Sequence, residues 1–408
     1  MENTKIFEQA QAALADVVHA TPLVYSPFFS RETGNQIYLK PENMQVTGSF
    51  KVRGAFFKIS TLTQEERAKG LVTSSAGNHA QGVAYAASRL GIKATIVMPS
   101  ATPLVKVNRT MQLGAQVVLH GDVYDDACVE ALRIATETGA TFVHPFNDEH
   151  VAAGQGTLAY EIRQDLPDAD IIIVPIGGGG LAAGVATLAK HLNPKVKVLG
   201  AEPTGAASMS ISCRNGRISP LESVETIADG VAVCTVGDIV FPYVQKYVDD
   251  ILLVDDECLM DVFLDLTENH KMIAENAGLL SLAAAYQLQK RGISGKKIVC
   301  LLSGGNMDVI TLSTLVQRGL ISRGRIFTFS VLLPDRPGEL VNISSIVASH
   351  RGNIIRLEHN QFVNINRRAG VELRVTLEAD GHPHKQEILQ ALFEKGYCAT
   401  EVDPRVVN

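Results

Sequence analysis

The sequence has no tryptophan, few charged residues and no long apolar segment. Of its 408 residues only 20% are charged, and the formal net charge is −6. Since no surplus of lysine and arginine is available to neutralise phosphates, we expect no nucleic-acid partner. The longest apolar runs, such as residues 171–176, have the length of a strand and cannot cross a bilayer. The first residues also lack the basic and apolar stretches of a signal peptide. We therefore expect a cytoplasmic protein with no membrane partner.

Cysteine is scarce as well, and the six cysteines show no pairing pattern. They occur at positions 128, 213, 234, 258, 300 and 398, without a C-x-x-C pair. This spacing offers neither a zinc motif nor a disulfide framework. Most of them should be ordinary small core residues.

Apolar residues are abundant and follow alternating strand and helix patterns. Hydrophobic residues make up 46% of the sequence, enough for large cores, and the length fits roughly two to three domains. From about residue 67 to residue 201, and again at residues 298–302, short apolar runs alternate with helical stripes. Such alternation predicts βαβ units and parallel sheets, which together make a doubly wound α/β fold.

The pattern changes near residues 323–325. From residue 326 it indicates a strand, a helix, two strands joined by a polar Asn/Arg turn, a second helix and a last short strand. The two central strands are predicted at residues 354–363 and 370–377. The order βαββαβ over about 80 residues predicts a separate ferredoxin-like module.

Lys51, at the end of the sequence Gly-Ser-Phe-Lys, is a candidate covalent anchor for a cofactor. A lysine amine captures electrophiles when its surroundings hold it and lower its pKa. A lysine taken at random is far more often a solvated surface charge. The motif gains weight from two later glycine-containing loops, at residues 74–79 and 177–180.

Four consecutive glycines at residues 177–180 separate a predicted buried strand from a helix. Backbone amides at such a junction face outward and the helix dipole adds positive charge, so the loop favours a bound phosphate. A strand–helix turn with nothing bound is one alternative. A dinucleotide site is another, since Gly177 and Gly179 partly fit GxGxxG and Glu202 stands about 20 residues further on. No G-K-[ST] follows, which removes the P-loop interpretation.

Four motifs occur in order: Gly-Ser-Phe-Lys, Ser-Ala-Gly-Asn-His, the four glycines and Ser-Gly-Gly-Asn. Over residues 5–320 the set resembles the fold-type II pyridoxal phosphate enzymes, whose catalytic region is tryptophan synthase β-like. Within that group the chain is similar to threonine dehydratases with one C-terminal ACT domain. Serine/threonine dehydratases and serine racemases are the nearest relatives. The resemblance implies a catalytic domain at 1–322, with a smaller subdomain at roughly 45–145, and an ACT regulatory domain at 326–408.

The resemblance also implies a site for pyridoxal 5'-phosphate. Lys51 would hold the cofactor covalently and act as the catalytic base. Asn78 would hydrogen-bond the phenolic oxygen of the cofactor ring, and Ser303 would face the ring nitrogen. The other implied cofactor contacts are Phe50, Gly177, Gly178, Gly179, Gly180 and Leu181. The implied substrate-binding loop contains Ser75, Ala76, Gly77 and His79.

Three of these residues have structural alternatives. Asn78 could be a helix N-cap, because asparagine is among the best capping residues. His79 could be a metal ligand or a base, but no second histidine or acid stands at ligand spacing. It fits better as a residue that starts a helix beside the site. Ser303 could belong to an ordinary turn at the end of a strand.

The implied reaction is the deamination of L-threonine to 2-oxobutanoate and ammonia, a first step of isoleucine biosynthesis. Ala76 stands where serine racemases carry a serine whose hydroxyl acts as a second acid–base group. The sequence therefore favours a dehydratase over a racemase. A neutral hydroxyl at Ser303, in place of an aspartate, favours prompt elimination over transamination.

Two departures from the family pattern concern ions and acids. Related enzymes bind a divalent cation through Glu-Pro-x-x-Ala-x-Asp; here Glu202 and Ala206 match, but Ser208 replaces the acid. Since cages for Mg²⁺ or Ca²⁺ normally need carboxylates, these three residues are weak metal candidates. A monovalent ion is an alternative. Glu275-Asn276 replaces a common Glu-Pro pair, and no catalytic role is assigned to Glu275.

The C-terminal module implies control by an amino acid. Residues 335–338, Asp-Arg-Pro-Gly, match the strand–helix loop of ACT domains. Isoleucine is the expected effector and valine a counter-effector, bound where two copies meet, in a homodimer or homotetramer. A ligand-free oligomerisation module is the alternative.

Three other functions stay open at this point. One is a catabolic serine/threonine dehydratase, and a second is another β-elimination or replacement enzyme, such as a cysteine-synthase-like one. The third is an amino-acid-sensing protein that uses the glycine loop and the C-terminal module without catalysis.

Overall fold

The structure is a computed structural model that describes residues 1, 3–360 and 370–402. The chain divides into two compact units, Met1–Asp308 and Val309–Asn408. Each unit is described separately below. No helix within the described ranges is long and apolar enough to cross a membrane. All six cysteines are free, but Cys300 alone among them is buried, so the expectation that most of them are core residues is wrong.

The first unit contains the predicted alternation of strands and helices. Its strands are β1 (Val24–Ser26), β2 (Gln36–Pro41), β3 (Leu71–Ser74), β4 (Ala94–Met98), β5 (Gln116–Leu119), β6 (Thr141–Phe142), β7 (Ile171–Pro175), β8 (Lys197–Pro203), β9 (Asp250–Val254) and β10 (Lys297–Leu302). Its helices are α1 (Lys5–Leu14), α2 (Pro27–Thr33), α3 (Lys51–Ser60), α4 (Gln64–Lys69), α5 (Asn78–Leu90), α6 (Leu104–Gln112), α7 (Tyr124–Thr138), α8 (Glu149–Gly156), α9 (Leu158–Asp165), α10 (Gly180–Leu192), α11 (Ser208–Asn215), α12 (Phe241–Tyr247), α13 (Asp256–His270) and α14 (Asn276–Lys290).

The larger sheet of this unit has the order β1-β2-β10-β7-β8-β9. Only β1 is antiparallel to its neighbour; β2, β10, β7, β8 and β9 all pair in parallel. Strand β7 has the sequence Ile-Ile-Ile-Val-Pro, and every one of its residues is buried. Helices α10 and α14 both pack against it. A continuous β-branched run is what a parallel strand needs when both its faces are covered, which confirms the prediction for residues 171–176.

The smaller sheet has the order β5-β4-β3-β6, and its strands are parallel throughout. Its strands run from Leu71 to Phe142 and so lie inside the region, roughly 45–145, that the resemblance implies as a smaller subdomain. Alanine-rich α5 packs closely on α3, and a Cβ at Gly82 would lie only 3.1 Å from the backbone of Lys51. The carboxyl ends of β3, β7 and β10 lead into the three loops that the sequence singled out. In parallel sheets, ligands bind at these strand ends.

The second unit contains α15 (Val309–Ser322), β11 (Ile326–Leu333), α16 (Glu339–Ser349), β12 (Asn353–Asn360), β13 (Val371–Glu378), α17 (Gly381–Glu394) and β14 (Thr400–Val402). After α15 the order is βαββαβ, and the antiparallel sheet runs β12-β13-β11-β14. This is the predicted ferredoxin-like arrangement. The predicted polar turn between β12 and β13 lies outside the described residues. Helix α15 groups with this unit, whereas the resemblance implied a catalytic domain that extends to residue 322.

Candidate active site

Two loops that are far apart in the sequence run side by side at the edge of β10. The amide of Phe50 donates to the carbonyl of Ser303 at 3.1 Å, and the amide of Gly305 donates to the carbonyl of Gly48 at 2.9 Å. Gly48 has φ +72, a left-handed conformation that favours glycine. Helix α3 begins directly after this pairing, at Lys51. The backbone thereby fixes the first residue of α3 beside the end of β10.

The Lys51 amine is held in a partly buried position. Its Nζ donates to the carbonyl of Pro145 at 2.7 Å and lies 5.4 Å from the centre of the Phe50 ring. Burial lowers the pKa of Lys51 to about 8, and the carboxyl of Glu275 opposes that shift. A lysine with this pKa has a substantial neutral fraction near pH 8, so it can act as a nucleophile or a base.

The glycine loop joins β7 to α10 with its amides unpaired. Among the described residues no acceptor is seen for the amides of residues 178–181. Gly179 occupies the N-cap of α10 with φ +103. Unpaired amides at a helix N-terminus, together with the helix dipole, form an anion site.

Packing against the protein itself is what requires glycine in this loop. A Cβ at Gly178 would overlap the ring of Phe146, and one at Gly180 would overlap the carbonyl of the same residue. At Gly179 it would meet the Met209 side chain. The loop is therefore pressed against its neighbours on one side. Its glycines show close packing, while the unpaired amides are the feature that points to a ligand.

Asn78 is the first residue of α5, and its side chain reaches two other loops. Its Nδ2 donates to Glu275 Oε1 at 2.5 Å, and its Oδ1 accepts from Asn306 Nδ2 at 2.7 Å. The N-cap of α5 is Gly77, and no side chain caps that end. The capping alternative for Asn78 is therefore wrong.

The remaining residues of the Ser75–His79 segment take different positions. Ser75 Oγ accepts from the amide of Gly77 at 3.2 Å, and Ala76 packs against the core of the smaller sheet. The His79 ring is buried, with Nε2 at 2.9 Å from the carbonyl of Val143. Burial lowers the pKa of His79 to about 3, with Lys51 adding to the shift. The imidazole is therefore neutral near pH 7 and contributes no positive charge to the loop.

Glu202 caps a helix and does not face a cluster of ligands. Its two carboxylate oxygens accept from the amides of Met209 and Ser210, both at 2.8 Å. Burial raises the pKa of Glu202 to about 7 despite these bonds. Within the described part of the chain, no three His, Cys, Asp or Glu side chains form a potential metal site. Ala206 and Ser208 lie close by in sequence and are buried, yet they add no carboxylate.

Glu275 is a residue of this site to which the sequence pattern assigned no role. It precedes α14 as its N-cap, and its amide donates to the carbonyl of Gly304 at 3.0 Å. Burial raises the pKa of Glu275 to about 7, although the hydrogen bond from Asn78 acts in the opposite direction. The motif Glu-Asn-Ala-Gly offered a signal, since its acid stands next to a helix start. The partly buried position of that acid beside Asn78 comes only from the fold.

Residues 14–304 match the family model described as pyridoxal-phosphate dependent enzyme. The L-threonine ammonia-lyase of Thermotoga maritima is 46% identical over 390 residues, which are 96% of this chain and 97% of that protein. Threonine deaminase isoform 2 from Solanum lycopersicum is similar in structure, with TM-score 0.74 and 40% identity over 77% of this chain and 87% of its own. Maize serine racemase also gives TM-score 0.74, with 37% identity over 79% of this chain and 99% of its own.

Proposed function

Because this chain belongs to the pyridoxal-phosphate dependent enzymes, we propose that it eliminates water from L-threonine. Hydrolysis of the released enamine product then takes up one water and gives 2-oxobutanoate and ammonia. The observation that carries the proposal is the position of Lys51. Its amine is held at 2.7 Å from a carbonyl oxygen, its pKa is lowered to about 8, and its helix begins where the backbone pairs with the loop of Ser303. The similarity to a threonine ammonia-lyase over nearly the whole of both chains supports threonine as the substrate.

The groups at this site fit pyridoxal phosphate. The amides of Gly177, Gly178, Gly179, Gly180 and Leu181 would receive its phosphate. Lys51 would bind it covalently, with Phe50 beside it. One N–H of Asn78 would meet its phenolic oxygen, and Ser303, at the end of β10, would face its ring nitrogen. When bound, the cofactor supplies an electron sink for the bonds at the substrate Cα.

The residues of this chain then handle the proton and the substrate carboxylate. Lys51 takes the Cα proton as general base, for which a pKa near the working pH is suited. The loop of Ser75, Ala76 and Gly77 receives the carboxylate, with His79 supporting the loop from within the core. Ala76 has no proton to give, so the opposite face of Cα has no acid there, and elimination is favoured over inversion.

The dinucleotide alternative is disfavoured by Glu202. A dinucleotide site needs an acidic side chain free to bind a ribose hydroxyl. Both carboxylate oxygens of Glu202 instead accept hydrogen bonds from backbone amides at the start of α11. The same two bonds disfavour a divalent cation at this residue.

The test of the function is a paired substrate assay. We expect L-threonine to give equimolar 2-oxobutanoate and ammonia, and L-serine to give pyruvate and ammonia more slowly. Faster turnover of serine would favour the serine dehydratase alternative, and conversion of L-serine to D-serine would favour a racemase. Bound cofactor without any 2-oxo acid product would contradict the proposal.

Replacing Ser303 with aspartate should slow elimination. A carboxylate opposite the ring nitrogen would hold a proton there, which a neutral hydroxyl does not do. Because a new charge at a reacting centre changes rates strongly, we expect Ser303→Asp to lower 2-oxobutanoate formation about tenfold or more. Stopped assays of the oxo acid measure the loss. Undiminished formation of 2-oxobutanoate would contradict the role given to Ser303.

We also propose that residues 326–408 are an ACT domain that makes a cytoplasmic homodimer or homotetramer responsive to isoleucine, which fits a biosynthetic role. Its βαββαβ order and antiparallel sheet support this. A ligand that binds only the folded state of a protein raises the melting temperature of that protein. We expect saturating isoleucine to raise the melting temperature by about 2 °C or more and to inhibit turnover, while glycine, as a control, does neither. No shift and no inhibition would favour a ligand-free oligomerisation module.

A further inference from the structure

The side-chain amide of Asn78 is held at both of its ends. When Glu275 is ionised it only accepts hydrogen bonds, and the atom that faces its Oε1 at 2.5 Å is then the amide nitrogen of Asn78. Asn306 Nδ2 donates to the carbonyl of Thr47 at 2.8 Å, and that carbonyl likewise only accepts. The same nitrogen donates to Asn78 Oδ1 at 2.7 Å. Two acceptor-only anchors therefore determine the orientation of both amides.

Glycines in two of the motif loops leave the space for this arrangement. A Cβ at Gly304 would overlap Glu275 Oε1 and press on Asn78 Nδ2. A Cβ at Gly48 would overlap the amide of Asn306. Substitution at either glycine would push away a partner of Asn78. The glycines of Gly-Ser-Phe-Lys and Ser-Gly-Gly-Asn thus serve the same hydrogen-bonded chain from opposite sides.

Glu275 accepts from Asn78 in an environment that contains both charge signs. Lys51 on α3 and Lys106 on α6 are the cations that act on it, and Asp229 is the nearby anion. Among the described residues no hydrogen bond or ion pair joins Lys51 to Glu275, and the Lys51 Nζ donates to the carbonyl of Pro145. The bond from Asn78 therefore lets the Glu275 carboxylate orient a neighbouring side chain.

We propose that Glu275, together with Asn306, is a positioning residue that fixes the Asn78 amide so that its second N–H is directed at the phenolic oxygen of the cofactor. An amide nitrogen carries two hydrogens, and Glu275 uses one of them. If the amide rotated by half a turn, its oxygen would face the cofactor oxygen and repel it. This inference rests on the cofactor placement proposed above. It gives a role to the acid of the Glu-Asn-Ala-Gly segment.

The test uses the spectrum and the affinity of the bound cofactor and needs no substrate. Glu275→Ala, Glu275→Gln, Asn78→Ala and the double variant Asn78→Ala/Glu275→Ala are loaded with pyridoxal phosphate. We expect Glu275→Ala to weaken cofactor binding about tenfold in equilibrium dialysis, the size of one lost hydrogen bond to a charged group, and to shift the absorbance maximum. Glu275→Gln should stay near wild type, because its amide oxygen can still accept from Asn78.

The double variant decides whether Glu275 acts through Asn78. We expect it to match Asn78→Ala alone, since nothing remains to be positioned. Asn306→Ala gives an independent test. We expect it to shift the absorbance maximum as Glu275→Ala does, and to add no further effect when it is combined with Asn78→Ala. Additive losses, or a Glu275→Gln variant as weak as Glu275→Ala, would overturn the proposal. A wild-type protein that binds no cofactor would instead refute the cofactor site, whatever Glu275 does.

Discussion

Lys51→Ala should abolish turnover and release the covalent hold on the cofactor. The substitution removes both the amine that binds the cofactor and the base that takes the Cα proton. General base catalysis alone contributes about 10² to 10⁴ in rate, so we expect the formation of 2-oxobutanoate to fall by about 10³ or more. The absorbance band of the bound cofactor, near the edge of the visible range, should be absent from the variant protein after gel filtration. Borohydride treatment followed by mass spectrometry should find the cofactor on the Lys51 peptide of the wild type only.

A surface lysine provides the matched control. Lys69 also lies on a helix of the first unit, but it pairs with Glu65 at 3.0 Å and is half exposed. Lys69→Ala should keep both the absorbance and the turnover. Retention of a covalently bound cofactor by Lys51→Ala would contradict the role of Lys51. Loss of turnover with unchanged absorbance would separate its part as a base from its part as an anchor.

The sequence predicted the parts of this site that depend on local order. Gly-Ser-Phe-Lys, the four glycines and Ser-Gly-Gly-Asn each directly precede a helix or follow a strand, and alternating apolar runs are enough to place those ends. The family resemblance that the four motifs carry implied that they share one site, and the carboxyl ends of parallel strands are where ligand sites gather. The bounds of β4, β5 and β11 follow from the same apolar runs.

What the sequence did not predict depends on contacts between distant segments. Nothing near Glu275 indicates that it is partly buried beside Asn78, since the two residues meet only when α14 and α5 pack around Gly304. The reason for the glycines at 178 and 180 was likewise hidden, because Phe146 lies in another loop. His79 was predicted to be in the substrate loop, but its ring binds the carbonyl of Val143 in the core. A motif gives a residue's place along the chain, while the direction of its side chain is decided by tertiary packing.

A buried ion network beneath the Lys51 helix is also not evident from the sequence. Arg53, two residues after Lys51, is fully buried and binds both oxygens of Glu42, at 2.8 and 2.9 Å. It also binds both oxygens of Glu161, at 2.5 and 3.0 Å. Lys40 donates to Glu161 from the other side at 2.5 Å. Two cations and two anions thus balance in a region that ties α3 to β2 and α9.

Arg53→Leu should strongly destabilise the first unit. The variant would leave Glu42 buried without its main partner, and breaking a buried pair from one side costs about 3–5 kcal/mol. Burial raises the pKa of Glu42, but Arg53 outweighs it and holds the pKa below its ordinary value. The wild type therefore gains stability from Glu42 above the unfolded pKa and loses it as the pH falls through the folded pKa. In the variant the pKa of Glu42 rises, so Glu42 becomes protonated more readily as the pH falls. The difference in stability between the wild type and the variant should therefore shrink on acidification.

Urea unfolding at pH 7 and at pH 5 measures the destabilisation by Arg53→Leu and its dependence on pH. Destabilisation appears as a lower urea midpoint with an unchanged slope. Arg133→Leu is the matched control, because Arg133 also bridges two glutamates, Glu130 and Glu137, but is half exposed. Exposed pairs contribute about 0–1 kcal/mol, so this variant should unfold close to the wild type. Equal losses for the two arginines, or a loss at Arg53 that does not shrink at pH 5, would contradict the explanation by an uncompensated Glu42. A confirmed difference would show that the buried ion pairs of Arg53, two residues after Lys51, stabilise the first unit.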